Sequence, residues 1–188
     1  MPVSTSPSAR QPGAGLPSGR VVYTAPPEVE AVFHNFRTCE FSTLARDGAP
    51  QTWPTAPFHQ HADGRFVVTT SVGLPQKAYN VRRDGRVSLL FSDPTGSRLS
   101  HPPTVLVQGD AVCPDTVRTD LDGFEDAVAQ TFQRQPASAI YSSNPVMRYL
   151  MDWYYMRLTI YVTPRRILYW PGGDLSQPPR SIEVQYVA

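Results

Sequence analysis

The stretch Phe66-Val67-Val68-Thr69-Thr70-Ser71-Val72-Gly73-Leu74-Pro75-Gln76-Lys77-Ala78-Tyr79-Asn80 passes from an apolar β-type run through three hydroxyl residues to a glycine turn and a proline-led helix start. Proline suits the first helical position, where its missing N–H would find no partner anyway. The start of such a helix presents unbonded backbone N–H groups and the positive end of its dipole. Lys77 is the only lysine in the chain, against sixteen arginines. Hydroxyls, a tight turn, a helix N-terminus and one ammonium together describe a cradle for a phosphate.

Upstream, Pro26-Pro27-Glu28 opens a short helix with Val29, Val32, Phe33 and Phe36 at helical spacing. The pattern then switches to strands. Phe41 to Ala45 runs into the hairpin signal Asp47-Gly48, and Gln51 to His59 forms a second strand. Pro54 and Pro57 argue that this second strand is irregular or at an edge, since proline donates nothing to a ladder. A second hairpin at Asp63-Gly64 leads into Arg65 to Ser71.

Downstream, Asp84-Gly85 closes the Lys77 helix with glycine as a left-handed cap. Arg86 to Ser92 and Thr104 to Val112 read as strands, the latter with Gly109 permitting a bulge. Helices are expected over Leu121 to Phe132 and from Asn144-Pro145 through Met151. Strands at Tyr155 to Val162, Arg166 to Trp170 and Ile182 to Tyr186 complete the pattern. Short strands at hairpin spacing with peripheral helices indicate a mainly β fold, a small antiparallel barrel. So few strands suit a barrel split by a groove and completed by a second subunit.

The 188 residues suffice for one domain with a sizeable core. Residues 1–22, rich in Ser, Pro and Gly, read as a disordered tail, leaving 23–188 as the folded domain. A net charge of +1 with interspersed signs argues against nucleic acid as a partner. No apolar run is long enough to span a membrane, and no secretory signal precedes the fold, so the expected location is the cytoplasm. Cys39 and Cys113 lie far apart and read as buried free thiols. His59 and His61 share a strand face and, with His101, offer imidazoles, but no carboxylate or cysteine accompanies them, so no metal site is expected. No nucleophile–base pair or paired-carboxylate site stands out, and no catalytic residue is assigned.

Taken in order, Phe41–Pro50, Phe66–Ser71 with Gln76–Leu90, Val105–Ala111 and Arg166–Gly172 resemble the pyridoxamine-phosphate-oxidase-like split-barrel family, over about residues 40 to 173. That family includes FMN enzymes and deazaflavin F-420 reductases. The resemblance implies an antiparallel split β-barrel of FMN-binding type, acting as a homodimeric oxidoreductase that passes hydride to or from a small-molecule substrate. It implies cofactor-phosphate contacts from Thr70, Ser71, Gln76 and Lys77, with Gln76 replacing a common arginine of that clamp; Thr69 joins the candidate cofactor residues by its position just before the Gly73 turn and Pro75. It further implies ring contacts from Trp53, Pro54 and Thr55, from Thr104, and from Trp170 of the second subunit. Arg82, Arg83 and Arg86, close behind Lys77, favour the acidic tail of deazaflavin F-420 over FMN. True pyridoxamine-phosphate oxidases carry an Arg-Leu-His-Asp-Arg segment after this tryptophan, and it is missing here, so pyridoxine phosphate is not the expected substrate. The alternative on the same fold is a non-catalytic carrier or sensor of flavin or haem.

Overall fold

A computed structural model describes residues 19–118 and 156–187. The helices expected over 121–132 and 144–151, and Tyr155 at the start of an expected strand, lie outside the described residues. The elements in order are β1 (Arg20–Val22), α1 (Pro27–Asn35), β2 (Cys39–Leu44), β3 (Pro50–Thr55), β4 (Phe58–Gln60), β5 (Arg65–Ser71), α2 (Gln76–Arg83), β6 (Arg86–Phe91), β7 (Thr104–Val112), β8 (Val117–Arg118), β9 (Arg157–Trp170), β10 (Arg180–Ile182) and β11 (Gln185–Val187).

One antiparallel sheet in the order β3-β2-β6-β7-β9-β5-β4 carries the fold. Its two outermost strands, β3 and β4, are consecutive in sequence and separated only by Ala56 and Pro57. Three Cα–Cα steps of about 3.8 Å cannot cross a flat seven-strand sheet. The sheet must curl until its edges approach, which makes a barrel split between β3 and β4. The expected single strand from Gln51 to His59 is thus two strands on opposite edges. Pro57 removes a ladder donor where the chain changes edge.

Inside the curl, Phe33 of α1 meets Phe66 edge-on at 4.9 Å and Phe91 at 5.4 Å between ring centroids. Phe36, Phe41, Leu89, Val105, Val107, Ile160 and Ile167 fill the rest of the core, each almost wholly buried. Alternation along β2 and β6 sends Phe41, Val87, Leu89 and Phe91 inward as the sequence pattern requires. Cys39 and Cys113 are buried free thiols, and burial raises the pKa of both.

Four local expectations are corrected. Pro75 is the residue before the first helical turn of α2, which begins at Gln76. Gly85 is not a left-handed cap: Asp84 ends the helix extended, at φ −143° and ψ 110°, because β6 starts at once. Gly85 is needed for proximity instead, since a Cβ there would sit 2.7 Å from the Ala111 carbonyl oxygen. The two strands expected at 155–162 and 166–170 are the single 14-residue strand β9. It stays continuous through Pro164 because the register jumps there, Gly109 facing Pro164 while Gln108 faces Arg166, so that Arg165 is the extra residue of a bulge. The last expected strand, Ile182 to Tyr186, is divided into β10 and β11.

The boundary of the tail also moves. Arg20–Val22, placed in the tail by composition, forms β1 against β11, and Val21 is only 4 % exposed. Long-range bonds hold it: the Val21 N–H donates to Asp63 O, and buried Arg65 donates through Nη2 to Gly19 O at 2.6 Å. Gly64, at φ +66°, lets Val21 approach so closely that a Cβ would overlap its carbonyl oxygen.

Helix α2 is fastened by one buried amide. Asn80 Nδ2 donates to Thr43 Oγ1 and to Gln51 Oε1, both at 2.9 Å. Its Oδ1 accepts from Gln76 Nε2 and from Arg83 Nη2, both at 3.0 Å. Asn80→Leu should therefore lower stability by about 1–3 kcal/mol, the cost of leaving the buried Thr43 hydroxyl without its partner and of losing the bonds to half-buried Gln51 and exposed Arg83. A urea-unfolding midpoint equal to that of wild type would contradict this reading of the network.

Candidate functional site

The strand β5 ends, and helix α2 begins, across a turn that its own side chains shape. Thr70 Oγ1 donates to the Leu74 carbonyl at 2.8 Å, and Ser71 Oγ accepts from the Gly73 N–H at 3.2 Å. The Leu74 N–H closes the turn on Ser71 O at 2.9 Å. Both hydroxyls are buried, so in this conformation they set the loop and the height at which α2 starts. Thr69 points to the other side of β5, where it faces Thr159 of β9 and is half-buried.

Helix α2 has no side-chain cap at its start, and its first-turn amides have no partners within the helix. Lys77 stands in that first turn. Its Nζ lies 5.2 Å from the centre of the Trp53 ring, over the face of an aromatic on edge strand β3. Burial holds the Lys77 ammonium below its ordinary pKa, and the charge of Arg157 pushes in the same direction. Arg157 faces Ser71 across the β5–β9 ladder, which explains how a cation so distant in sequence comes to neighbour Lys77. The sequence reading missed it, because that neighbourhood is created by strand pairing. The surface around the pair is open: Pro54, Gln76, Leu74 and Tyr79 are exposed, and Trp53 is half-buried.

The remaining predicted residues fall into a second group. Thr104 and Trp170 face each other across the β7–β9 ladder. Trp170 and Arg157 are the two ends of β9, a 14-residue strand, roughly 40 Å apart if it ran straight. One chain therefore brings Trp53, Thr70, Ser71, Gln76 and Lys77 together, but leaves Trp170 at the far end of the ladder that carries Arg157. Thr55, 9 % exposed, turns its hydroxyl to the Trp53 carbonyl at 3.1 Å.

The arginines behind Lys77 have partners within the protein. Arg82 donates to the Cys113 and Pro114 carbonyls and pairs with Asp115 at 3.2 Å. Arg83 bonds Leu44 O as well as Asn80, and Arg86 grips Asp84 with its nearest nitrogen at 2.7 Å. They support α2 and its flanks, which removes the argument that they line a groove for an acidic tail. A pocket of about 340 Å³ between the N-terminal segment and β10–β11, lined among others by Tyr23, Tyr169 and Ile182, contains none of the predicted cofactor residues.

No family model matches the sequence, and no curated protein matches it either. Solved structures do match the fold. An F420 reductase superposes with a TM-score of 0.52 at 17% identity, over 76% of this chain and 98% of that one. A Clostridium acetobutylicum protein related to general stress protein 26 of B. subtilis, of the pyridoxinephosphate oxidase family, gives 0.50 at 12% identity, over 82% and 92%. A heme binding protein from Mycobacterium smegmatis gives 0.50 at 17% identity, over 87% of this chain but only 59% of its own length. At these identities the likeness speaks for architecture alone. The chain has the split-barrel fold of the pyridoxamine 5'-phosphate-oxidase-like proteins.

Proposed function

We propose that this chain binds a phosphate-bearing, flavin-type cofactor, FMN or deazaflavin F-420, and works with it as an oxidoreductase on a small organic substrate. The observation that carries this reading is Lys77, held over the Trp53 ring in the uncapped first turn of α2 with Arg157 as its neighbour. Two cations and the backbone N–H groups of a helix start favour an anion at that point. The aromatic strand beside them offers a flat apolar surface, which suits a ligand that joins a phosphate to a planar ring.

In this reading the cofactor supplies the hydride chemistry, and the protein supplies binding, orientation and exclusion of water. Lys77 and Arg157 hold the phosphate. Thr70 and Ser71 fix the turn that aims the α2 amides, and Trp53 with Pro54 and Thr55 backs the ring. Trp170 and Thr104 take part as residues of a second copy, because within one chain they stand far along β9 from Lys77. Exposed Leu74 and Tyr79, flanking Lys77, supply apolar surface for that copy to cover.

Three measurements test the proposal. The absorption spectrum of freshly purified protein should carry flavin or deazaflavin bands; a haem band instead would favour the carrier reading. Lys77→Ala should weaken FMN or F-420 binding in titrations by about 1.5–3 kcal/mol, the worth of hydrogen bonds to a charged group. Arg157→Gln should act in the same direction, and unchanged affinity in both variants would remove this surface from cofactor binding. Light scattering at micromolar concentration should give twice the 20.9 kDa chain mass, whereas a monomer that still binds cofactor tightly would sink the shared groove.

A further inference from the structure

A second cluster lies at the β4 edge of the sheet and does not depend on the cofactor reading. On α1, Glu30 and His34 are one helical turn apart and share a face. On β4 and the turn after it, His59 and His61 are two residues apart. Packing α1 on β4 brings the four together, with one ligand atom from each lying within 4.8 Å of all the others. Glu30 Oε2 is 3.9 Å from His34 Nε2, 3.8 Å from His59 Nδ1 and 3.9 Å from His61 Nδ1. His34 Nε2 and His61 Nε2 are 2.6 Å apart.

The arrangement leaves two polar atoms unsatisfied. Glu30 Oε2 and His59 Nδ1 are buried and have no hydrogen-bond partner among the described residues, although they face each other. The His59 side chain is 3 % exposed, with its ring stacked on Phe66 at 4.9 Å. Buried polar atoms without partners are unfavourable, and a cation between these two would satisfy both. The other His59 nitrogen, Nε2, is 2.7 Å from the Tyr23 hydroxyl. With Nδ1 on a metal, Nε2 carries the ring proton and donates it to the Tyr23 oxygen, the outer support that orients a ligating imidazole. A pocket of about 110 Å³, lined among others by Tyr23, Glu30, His59 and His61, gives access.

We propose that Glu30, His34, His59 and His61 form a site for one divalent transition-metal ion of zinc type. Three imidazole nitrogens and one carboxylate oxygen suit tetrahedral Zn²⁺, and disfavour the all-oxygen cations Mg²⁺ and Ca²⁺. Bonds of about 2.0–2.1 Å would set the ligand atoms roughly 3.3 Å apart. Glu30 then draws in slightly, and His34 and His61 separate by a fraction of an ångström. Four protein ligands close the coordination sphere, so the role is structural. The ion fastens α1 to the edge strand β4 and, through Tyr23, to the N-terminal segment. The carboxylate that the sequence-level set of His59, His61 and His101 lacked is Glu30, and His101 has no part in the cluster.

The test uses the full-length chain, any affinity tag removed, stripped with chelator and then titrated. Calorimetry should give one equivalent of Zn²⁺ per chain, and Co²⁺ should produce the intense visible bands of a tetrahedral site. Zn²⁺ should also raise the thermal midpoint. His34→Ala and His61→Ala change side chains 42% and 54% exposed, so the metal-free variants should fold as wild type does. Each should weaken Zn²⁺ binding by at least about 100-fold, and Tyr23→Phe by about 10-fold. No saturable binding of either ion, the pale spectrum of octahedral Co²⁺, or wild-type affinity in His61→Ala would each overturn the proposal.

Discussion

The side-chain amide of Asn80 is the constraint on which the Lys77 surface depends. It is fully buried, and both its nitrogen and its oxygen are engaged twice, by Thr43 of β2, Gln51 of β3, and Gln76 and Arg83 of its own helix. An amide so saturated has one orientation and one depth, because any rotation strands a buried donor or acceptor. The helix start is fixed with it. Gln51 belongs to the same strand as Trp53, two residues away, so the amide that locates Lys77 also locates the aromatic face beneath it.

Edge strand β3 would otherwise be a poor foundation. Pro50 and Pro54 deprive it of ladder donors, and among the described residues it pairs with β2 alone. The side-chain pair Ser42 Oγ and Thr52 Oγ1, 2.8 Å apart, adds a cross-strand bond on its outer face. Through Gln51, Asn80 contributes another from the helix layer. This edge is thus kept in place from behind.

Much of this was legible in the chain itself, wherever the signal is local. Asp47-Gly48 and Asp63-Gly64 turn two hairpins, Pro54 marks an edge, Gly109 marks the bulge, and the run from Thr69 to Lys77 is a strand, turn and helix start. What was hidden is what pairing creates. Arg157 neighbours Lys77 only because β9 lies beside β5, and Glu30 with His34 meets His59 only because α1 packs on β4. Charge alone misled for Arg82, Arg83 and Arg86, whose proximity to Lys77 in sequence says nothing about their nearer carbonyl and carboxylate partners. The single strand β9 reads as two in the sequence, since the extra residue that lets it run on through Pro164, Arg165, shows only in the register of two strands.

The position of β9 has a consequence for how the molecule is made. It is hydrogen-bonded along both sides, to β7 on one and β5 on the other, and also pairs with β8 and β10. A ribosome delivers it after both of its long neighbours. Until then the nascent chain holds two half-sheets, β3-β2-β6-β7 and β5-β4, with apolar inner edges left unpaired: Val105, Leu106 and Val107 on β7, and Phe66, Val67 and Val68 on β5. Joining them requires contacts between distant parts of the chain, which is slow relative to hairpin closure. The interval before β9 arrives is when this protein is most exposed to strand-swapping and aggregation. Expression at low temperature, or with a chaperone that shields those edges, works on that interval rather than on the finished fold.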